Sequence, residues 1–391
     1  MTNPLHDPKF FQDPYPTYAA LRSASPVQRV PSGGGRSRYL VSGYAEARAA
    51  LADPRLSKDT ARFFANKNSG RNLHPAVSQS MLATDPPQHT RLRSLVTKAF
   101  TPGAIARLRP YIESVVGELL DSWAPDEQTD VIESLAAPLP VTVICQMLGV
   151  PEADRSTVRA WSNELFAAGQ PERIDTASHA VAGYMADLIA NKRRTPDDSL
   201  LNDLIRARDG EDRLSEDELV SLAVLLLVTG HETTTNFLGN AVLALLQHPD
   251  ELDRLRKNPD DVPAVLDELL RFDSPVSTAT FRFTAEAVTL GGTDIPAGVP
   301  VLVAIGAANR DPERFPSPDL LDLDRDAAAH LSFGHGIHRC VGASLARAEA
   351  EIALRAILAR FPGMRLALPP DRLQWRRTRL MRGLEALPVL P

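Results

Sequence analysis

From Ser215 to His248 the sequence keeps a helical pattern for roughly thirty residues, about 50 Å at 1.5 Å per residue. Ser215-Glu216-Asp217-Glu218 opens it as a capping box, in which serine and glutamate satisfy each other's backbone N–H groups. Leu222–Val228 is apolar on most sides, and a helix of that kind is normally buried. Midway, Thr229-Gly230-His231-Glu232-Thr233-Thr234-Thr235-Asn236 breaks several local rules at once. Glycine costs up to ~1 kcal/mol inside a helix and threonine is a weak former. A buried carboxylate is expensive unless paired. Breaks that coincide in this way are expected where a site is built. A locally wet helix face is the plainer alternative.

A second feature is Phe333-Gly334-His335-Gly336-Ile337-His338-Arg339-Cys340. It sets one cysteine at the end of a glycine-bent loop, just before a helical pattern. Two glycines let the backbone approach something flat and bulky, because no Cβ intervenes. The N–H groups at the start of the following helix favour a thiolate, and a lone thiolate suits an axial position on haem iron. Other readings are a plain turn with a packed cysteine and a zinc site using His330, His335 or His338. Against zinc, no C-x-x-C or H-x-x-x-H pair accompanies Cys340. A dinucleotide loop would need glycine where Arg339 stands.

The chain has 391 residues, above the usual single-core size, so one large domain or two lobes are expected. Its apolar share of 43% and charged share of 24% suit a soluble globule. The net charge of −6 argues against a general binder of nucleic acid or anionic membrane. The N-terminal residues carry no basic, apolar leader pattern, and the two cysteines suit a reducing cytoplasm. Cys145, in Val141–Leu148, reads as packing.

Val27–Val30 and Arg38–Val41 read as strands split by the turn-rich Pro31–Gly35. Residues 87–271 are mostly helical by period. Residues 276–302 turn β-like, with breaks at Gly291-Gly292 and Pro296-Ala297-Gly298, and Asn309–His330 is irregular. A last helix is predicted from about Val341 to Phe361, within a helical stretch 331–361. Its Leu345, Ala348, Ile352 and Ala356 share one face, and Arg347, Glu351 and Arg355 make an i,i+4 charge ladder. The fold class is therefore mainly α with a smaller β lobe.

The loop resembles the haem signature of the bacterial cytochrome P-450 family, and other family landmarks follow in order. His89-Thr90-Arg91-Leu92-Arg93 resembles the H-x-x-x-R beside the haem. Gly230-His231-Glu232-Thr233-Thr234 resembles the oxygen-activation stretch. Glu268-Leu269-Leu270-Arg271 resembles E-x-x-R, while Asn309-Arg310-Asp311-Pro312 and Leu345-Ala346-Arg347-Ala348-Glu349 also match bacterial members. The resemblance spans nearly the whole chain, from Asp13–Pro16 to Gly383–Pro388, and implies one triangular P-450 domain over residues 1–391.

It further implies haem b, with Cys340 as the iron ligand. His89, Arg93, Arg282 and His338 become propionate partners, and Phe333 packs near the sulfur. Glu232 and Thr233 become the acid–alcohol pair that passes protons, while Gly230 loosens the helix so that oxygen can sit against the backbone. Many relatives have alanine where this chain has Thr229, so the role of that hydroxyl stays open. Glu268 and Arg271 form an ion pair in the core, joined by Arg314 or Arg325. Pocket walls are implied at 63–84, Leu165–Gln170, Val276–Phe281 and Arg379–Met381.

The implied activity is a monooxygenase that hydroxylates or epoxidises a lipophilic molecule such as a polyketide macrolactone, steroid or terpenoid. Oxygen would be the co-substrate. No flavin or iron–sulfur module fits the length, so electrons are expected from a ferredoxin and its reductase, docking on a basic face near Arg91, Lys98 and Arg339. A peroxide-driven peroxygenase and a haem sensor or carrier are the alternatives. The pair Glu232 and Thr233 speaks against both, since a carrier needs no proton relay.

Overall fold

The structure, a computed structural model, describes residues 4–32, 36–65, 71–125, 127–166, 170–209 and 214–391. Its chain falls into two compact units. One comprises Met1–Ser57, Arg109–Ala136 and Thr233–Pro391; the other comprises Lys58–Leu108 and Ala137–Glu232.

The first unit holds the β structure. Strands β1 (Val27–Ser32) and β2 (Arg36–Val41) form the expected hairpin, paired from Val27↔Val41 to Ser32↔Arg36. The middle of the predicted turn, residues 33–35, lies outside the described residues. Strands β3 (Leu56–Ser57), β4 (Arg282–Thr284) and β5 (Pro300–Val303) complete a sheet of order β1-β2-β5-β4-β3, in which only β2 and β5 run parallel. The period of two sends adjacent residues to opposite faces. Val41 thus joins a cluster with Val27, Leu51, Ile295, Val301 and Leu331, while Leu40 joins Phe10, Tyr18 and Val30. The predicted break at Gly291-Gly292 is a tight turn between Val288–Leu290 and Thr293–Ile295, with φ of 52° and 73°. Those are the left-handed values that such a hairpin asks of glycine.

Two helices of this unit matter for the site. Val262–Phe272 carries Glu268 and Arg271; Ala343–Arg360 follows Cys340. In the second, Leu345, Ala348 and Ile352 are buried as expected and Ala356 is half-buried. The predicted charge ladder is only half made. Glu351 does meet Arg355 at 3.3 Å, but it also binds Arg109 at 2.7 Å, and Arg347 turns away to Asp267 at 2.6 Å. A local i,i+4 pair stabilises by only about 0.2–0.5 kcal/mol, so partners from other elements displace it readily. Two helices outside the predicted helical body, Tyr15–Ala24 and Tyr44–Ala52, also belong here.

The second unit is helical. The capping box is present: Ser215 N–H donates to Glu218 Oε2 at 3.0 Å, and Glu218 N–H donates to Ser215 Oγ at 3.1 Å. The central helix runs Glu216–Gln247, 32 residues, and the boundary between the units falls within it. The stretch implied as a pocket wall at 63–84 carries short helices at Thr60–Phe64 and Pro75–Ser78. Residues 66–70 lie outside the described residues. Cys145 is fully buried in Pro138–Leu148, and burial pushes its thiol up to about 11, so it serves packing. Among the described residues, no helix is long and apolar enough to cross a membrane.

Candidate functional site

The loop 333–340 is bent by its own backbone. Gly334 and Gly336 sit at φ of 72° and 73°. Cys340 N–H donates to the Phe333 carbonyl at 2.8 Å, which closes the loop. At Gly336 a Cβ would stand 2.9 Å from the Leu51 carbonyl oxygen and 3.1 Å from Ala52 Cα, so glycine is required by both conformation and space. The result is an exposed Cys340 thiol, in contrast to buried Cys145. The helix Ala343–Arg360 opens three residues later.

A framework of hydrogen bonds holds the segment that enters this loop. Asn309 Nδ2 donates to Ser332 Oγ at 2.8 Å, and Asn309 Oδ1 accepts from Leu331 N–H at 2.7 Å. Ser332 Oγ donates to the Leu270 carbonyl at 2.7 Å. His330 lies 3.3 Å from Asp267, which also binds Arg347. Those two neighbours, His330 first, bring the Asp267 carboxyl down to about 2. The Arg347 guanidinium then lies 4.5 Å over the Phe333 ring, a cation–π contact that fixes the ring beside the loop. His330 is thus committed to Asp267 and Ser332, and no cluster of three or more metal-ligating side chains occurs among the described residues.

Beneath it lies the predicted ion pair. Arg271 Nε and Nη2 donate to the two oxygens of Glu268 at 2.6 and 2.8 Å. The third member is Arg325, whose Nε donates to Glu268 Oε1 at 3.2 Å; Arg314 instead lies over the Tyr44 and Phe315 rings. Arg271 also donates to the carbonyls of Asn309, Pro318 and Leu320. One side chain therefore ties the irregular segment 309–320 to the helix.

In the second unit, His89 and Arg93 share one face of the helix Gln88–Thr97. Burial, then the charges of Arg93 and Lys58, lower the His89 pKa, which favours a neutral ring. In the first unit Arg282 is buried on β4 and donates to the Thr280 carbonyl at 3.1 Å; His338 is half-buried on the cysteine loop. Phe333, His338 and Cys340 are thus brought together on one loop, and His89 with Arg93 on one helix. Arg91 forms an ion pair with Glu218, so that member of the expected basic face is engaged.

Along the central helix, residues 219–245 are buried except Leu225, Thr229, Gly230 and Thr233. Their spacing puts them on one face. The helix runs unbroken through Gly230, contrary to the expected loosening. A Cβ at Gly230 would stand 3.0 Å from Ile144 Cγ1, so any larger residue there requires the Ile144 side chain to shift. Thr229 Oγ1 donates to the Leu225 carbonyl at 2.7 Å, an i−4 bond that orients its hydroxyl. Glu232 is buried.

Sequence reasoning missed Glu349. It is 1% exposed, and among the described residues neither of its oxygens makes a hydrogen bond of ordinary geometry. Burial pushes its carboxyl up to about 8, with the nearby Thr234 hydroxyl opposing weakly. The available signal was a lone acid amid Leu345, Ala348 and Ile352. It also missed Arg347 as the residue that holds Phe333.

Comparison with known proteins agrees with this geometry. A family model for cytochrome P450 matches residues 155–375. Cytochrome P450 107B1 of Saccharopolyspora erythraea is 48% identical over 392 residues, covering 98% of this chain and 96% of that protein. The P450 monooxygenase PikC of Streptomyces venezuelae is 47% identical, covering 97% and 91%. The tirandamycin C-bound structure of the P450 monooxygenase TamI superposes with a TM-score of 0.91 at 47% identity, covering 98% of this chain and 99% of that one. The chain therefore belongs to the cytochrome P450 family of haem-iron monooxygenases.

Proposed function

We propose that Cys340 is the thiolate ligand of haem b and that the protein hydroxylates or epoxidises a lipophilic small molecule. The observation that carries this reading is the exposed thiol on a loop bent by two left-handed glycines. The donor set suits the group: one thiol, with His338 on the same loop, the cations Arg282 and Arg93, and the neutral His89 ring as a hydrogen-bond donor, as propionate partners. Phe333, held by Arg347, limits water at the sulfur.

Bound haem supplies oxidising chemistry: O2, two electrons and two protons convert a substrate C–H to C–OH and release water. The chain's residues deliver the protons. Glu232 takes them up and Thr233 presents them from the half-exposed face of the central helix. Gly230 and Thr229 border that face.

A polyketide macrolactone, steroid or terpenoid suits this reading. The relatives include 6-deoxyerythronolide B hydroxylase of Saccharopolyspora erythraea and vitamin D(3) 25-hydroxylase of Pseudonocardia autotrophica. Electrons come from a ferredoxin and its reductase in the cytoplasm, with Lys98 and Arg339 as docking cations. The whole chain acts as one catalytic domain.

Two variants test the reading. Cys340→Ser loses the red-shifted carbonyl band of thiolate-ligated ferrous haem; persistence of that band removes Cys340 as the ligand. Thr233→Ala keeps haem and consumes oxygen, but releases peroxide in place of product; full coupling removes the relay. A spin-state screen across lipophilic natural products identifies the substrate.

A further inference from the structure

The chain is acidic overall, yet one group in the first unit gathers positive charge. Arg38 lies on β2, opposite Val30. Arg379 lies on the turn that precedes Met381, and His6 lies in the short helix Pro4–His6. Arg379 Nη1 donates to His6 Nε2 at 2.6 Å. Arg38 Nε is buried and has no hydrogen-bond partner among the described residues.

The charges around these three groups are mostly of one sign. Burial and the Arg379 charge push Arg38 down; burial, Arg379 and Arg38 push His6 down. Burial pushes Arg379 down as well, opposed by the Tyr18 hydroxyl. Among the described residues, no carboxylate is a cause of the shift at any of the three. Arg382, three residues beyond Arg379, shows the contrast. Its Nε donates to Asp273 at 3.1 Å, and its guanidinium lies 3.4 Å from the Trp375 ring centre.

The two arginines stand on well-anchored backbone. Arg38 is within a paired strand. The Arg379 carbonyl accepts from Thr278 Oγ1 at 3.0 Å, and the Leu380 carbonyl accepts from Ser277 N–H at 2.9 Å. Cations held together against their repulsion, one with an unmet buried donor, are stabilised most by an oxyanion. Guanidinium groups match carboxylate and phosphate in a two-pronged geometry.

We propose that Arg38, Arg379 and His6 form an anion-binding site that takes the carboxylate or phosphate group of a small molecule. The anion is either free or the head group of a lipophile. That such a lipophile is also the oxidised substrate rests on the haem-thiolate reading, because the Arg379–Met381 turn is one of the implied pocket walls.

Calorimetric titration of the haem-loaded chain with laurate, dodecanol and inorganic phosphate tests the site. Laurate should bind about tenfold or more tighter than dodecanol, as charge-assisted pairing requires. Arg38→Gln and Arg379→Gln should each cut that advantage to about twofold. Arg379→Lys should keep part of it, and melting curves should show that each variant is folded. Phosphate binding that the same variants abolish identifies a free anion; laurate binding without phosphate binding identifies a head group. Equal binding of laurate and dodecanol with no phosphate binding overturns the proposal, as does a preference that survives both glutamine variants. Binding without a shift in iron spin state leaves the site standing and separates it from the oxidised substrate.

Discussion

Glu268 and Glu349 lie in the same unit and are equally buried, at 1% exposure each. Their surroundings are opposite. Glu268 accepts from Arg271 twice, from Arg325 and from the Asp322 N–H. Glu349 has burial and a nearby Thr234, and its carboxyl is held up to about 8. Equal burial therefore goes with very different hydrogen-bonding here. A carboxylate taken out of water costs several kcal/mol unless neighbours replace the lost hydration. Four N–H groups from three residues reach Glu268; at Glu349 the chain keeps the proton.

Three substitutions test this contrast. The largest effect is expected from Arg271→Met, which strips the main partner from Glu268 and frees three carbonyls of the 309–320 segment. It should cost about 3–5 kcal/mol in denaturant unfolding, and the double change with Glu268→Leu should cost less than the single. Next is Glu349→Gln. The folded chain keeps a proton on Glu349 that the unfolded chain gives up between its ordinary 4.5 and about 8. Stability should therefore fall as pH rises across that window, by on the order of a few kcal/mol. The glutamine variant should remove this slope, so its gain over the parent is larger at pH 8 than at pH 5. Melting curves at the two pH values decide it.

The smallest effect is expected from Asp267→Asn. His330, and then Arg347, hold Asp267 at about 2, below its ordinary 3.8. Its stabilisation is present above 3.8 and is lost as pH falls through 2. Because the pair is half-exposed, about 1 kcal/mol should disappear at pH 7, and progressively less as pH falls through about 2. Phe333 fluorescence is weak, so near-ultraviolet dichroism is the better probe of the loosened loop.

Much of this was legible in the sequence because it follows local rules. The capping box at Ser215, the glycine turn at 291–292 and the E-x-x-R spacing each specify a short-range geometry that the structure adopts. The cysteine loop was legible through its two glycines, but the reason for Gly336 was not. It lies in the backbone of Leu51 and Ala52, far away in sequence. The choice of Arg325 over Arg314 likewise depends on how the irregular segment folds back. Arg347 read as part of a helical ladder because Asp267 is eighty positions earlier. Gly230 read as a weak point in a helix, but the helix is continuous there and Ile144 from another helix packs close to it. Each miss has one cause: a partner distant along the chain outweighed a neighbour within one turn.

The seat of Gly336 on Ala52 carries a practical consequence. The first fifty or so residues look remote from the reactive end of the protein, and an engineer would treat Tyr44–Ala52 as scaffold open to diversification. Yet Leu51 and Ala52 leave no room for a Cβ at Gly336, so repacking that shifts Ala52 changes the space left to the loop that carries Cys340. Libraries aimed at that N-terminal helix should be sorted for pigment as well as for yield.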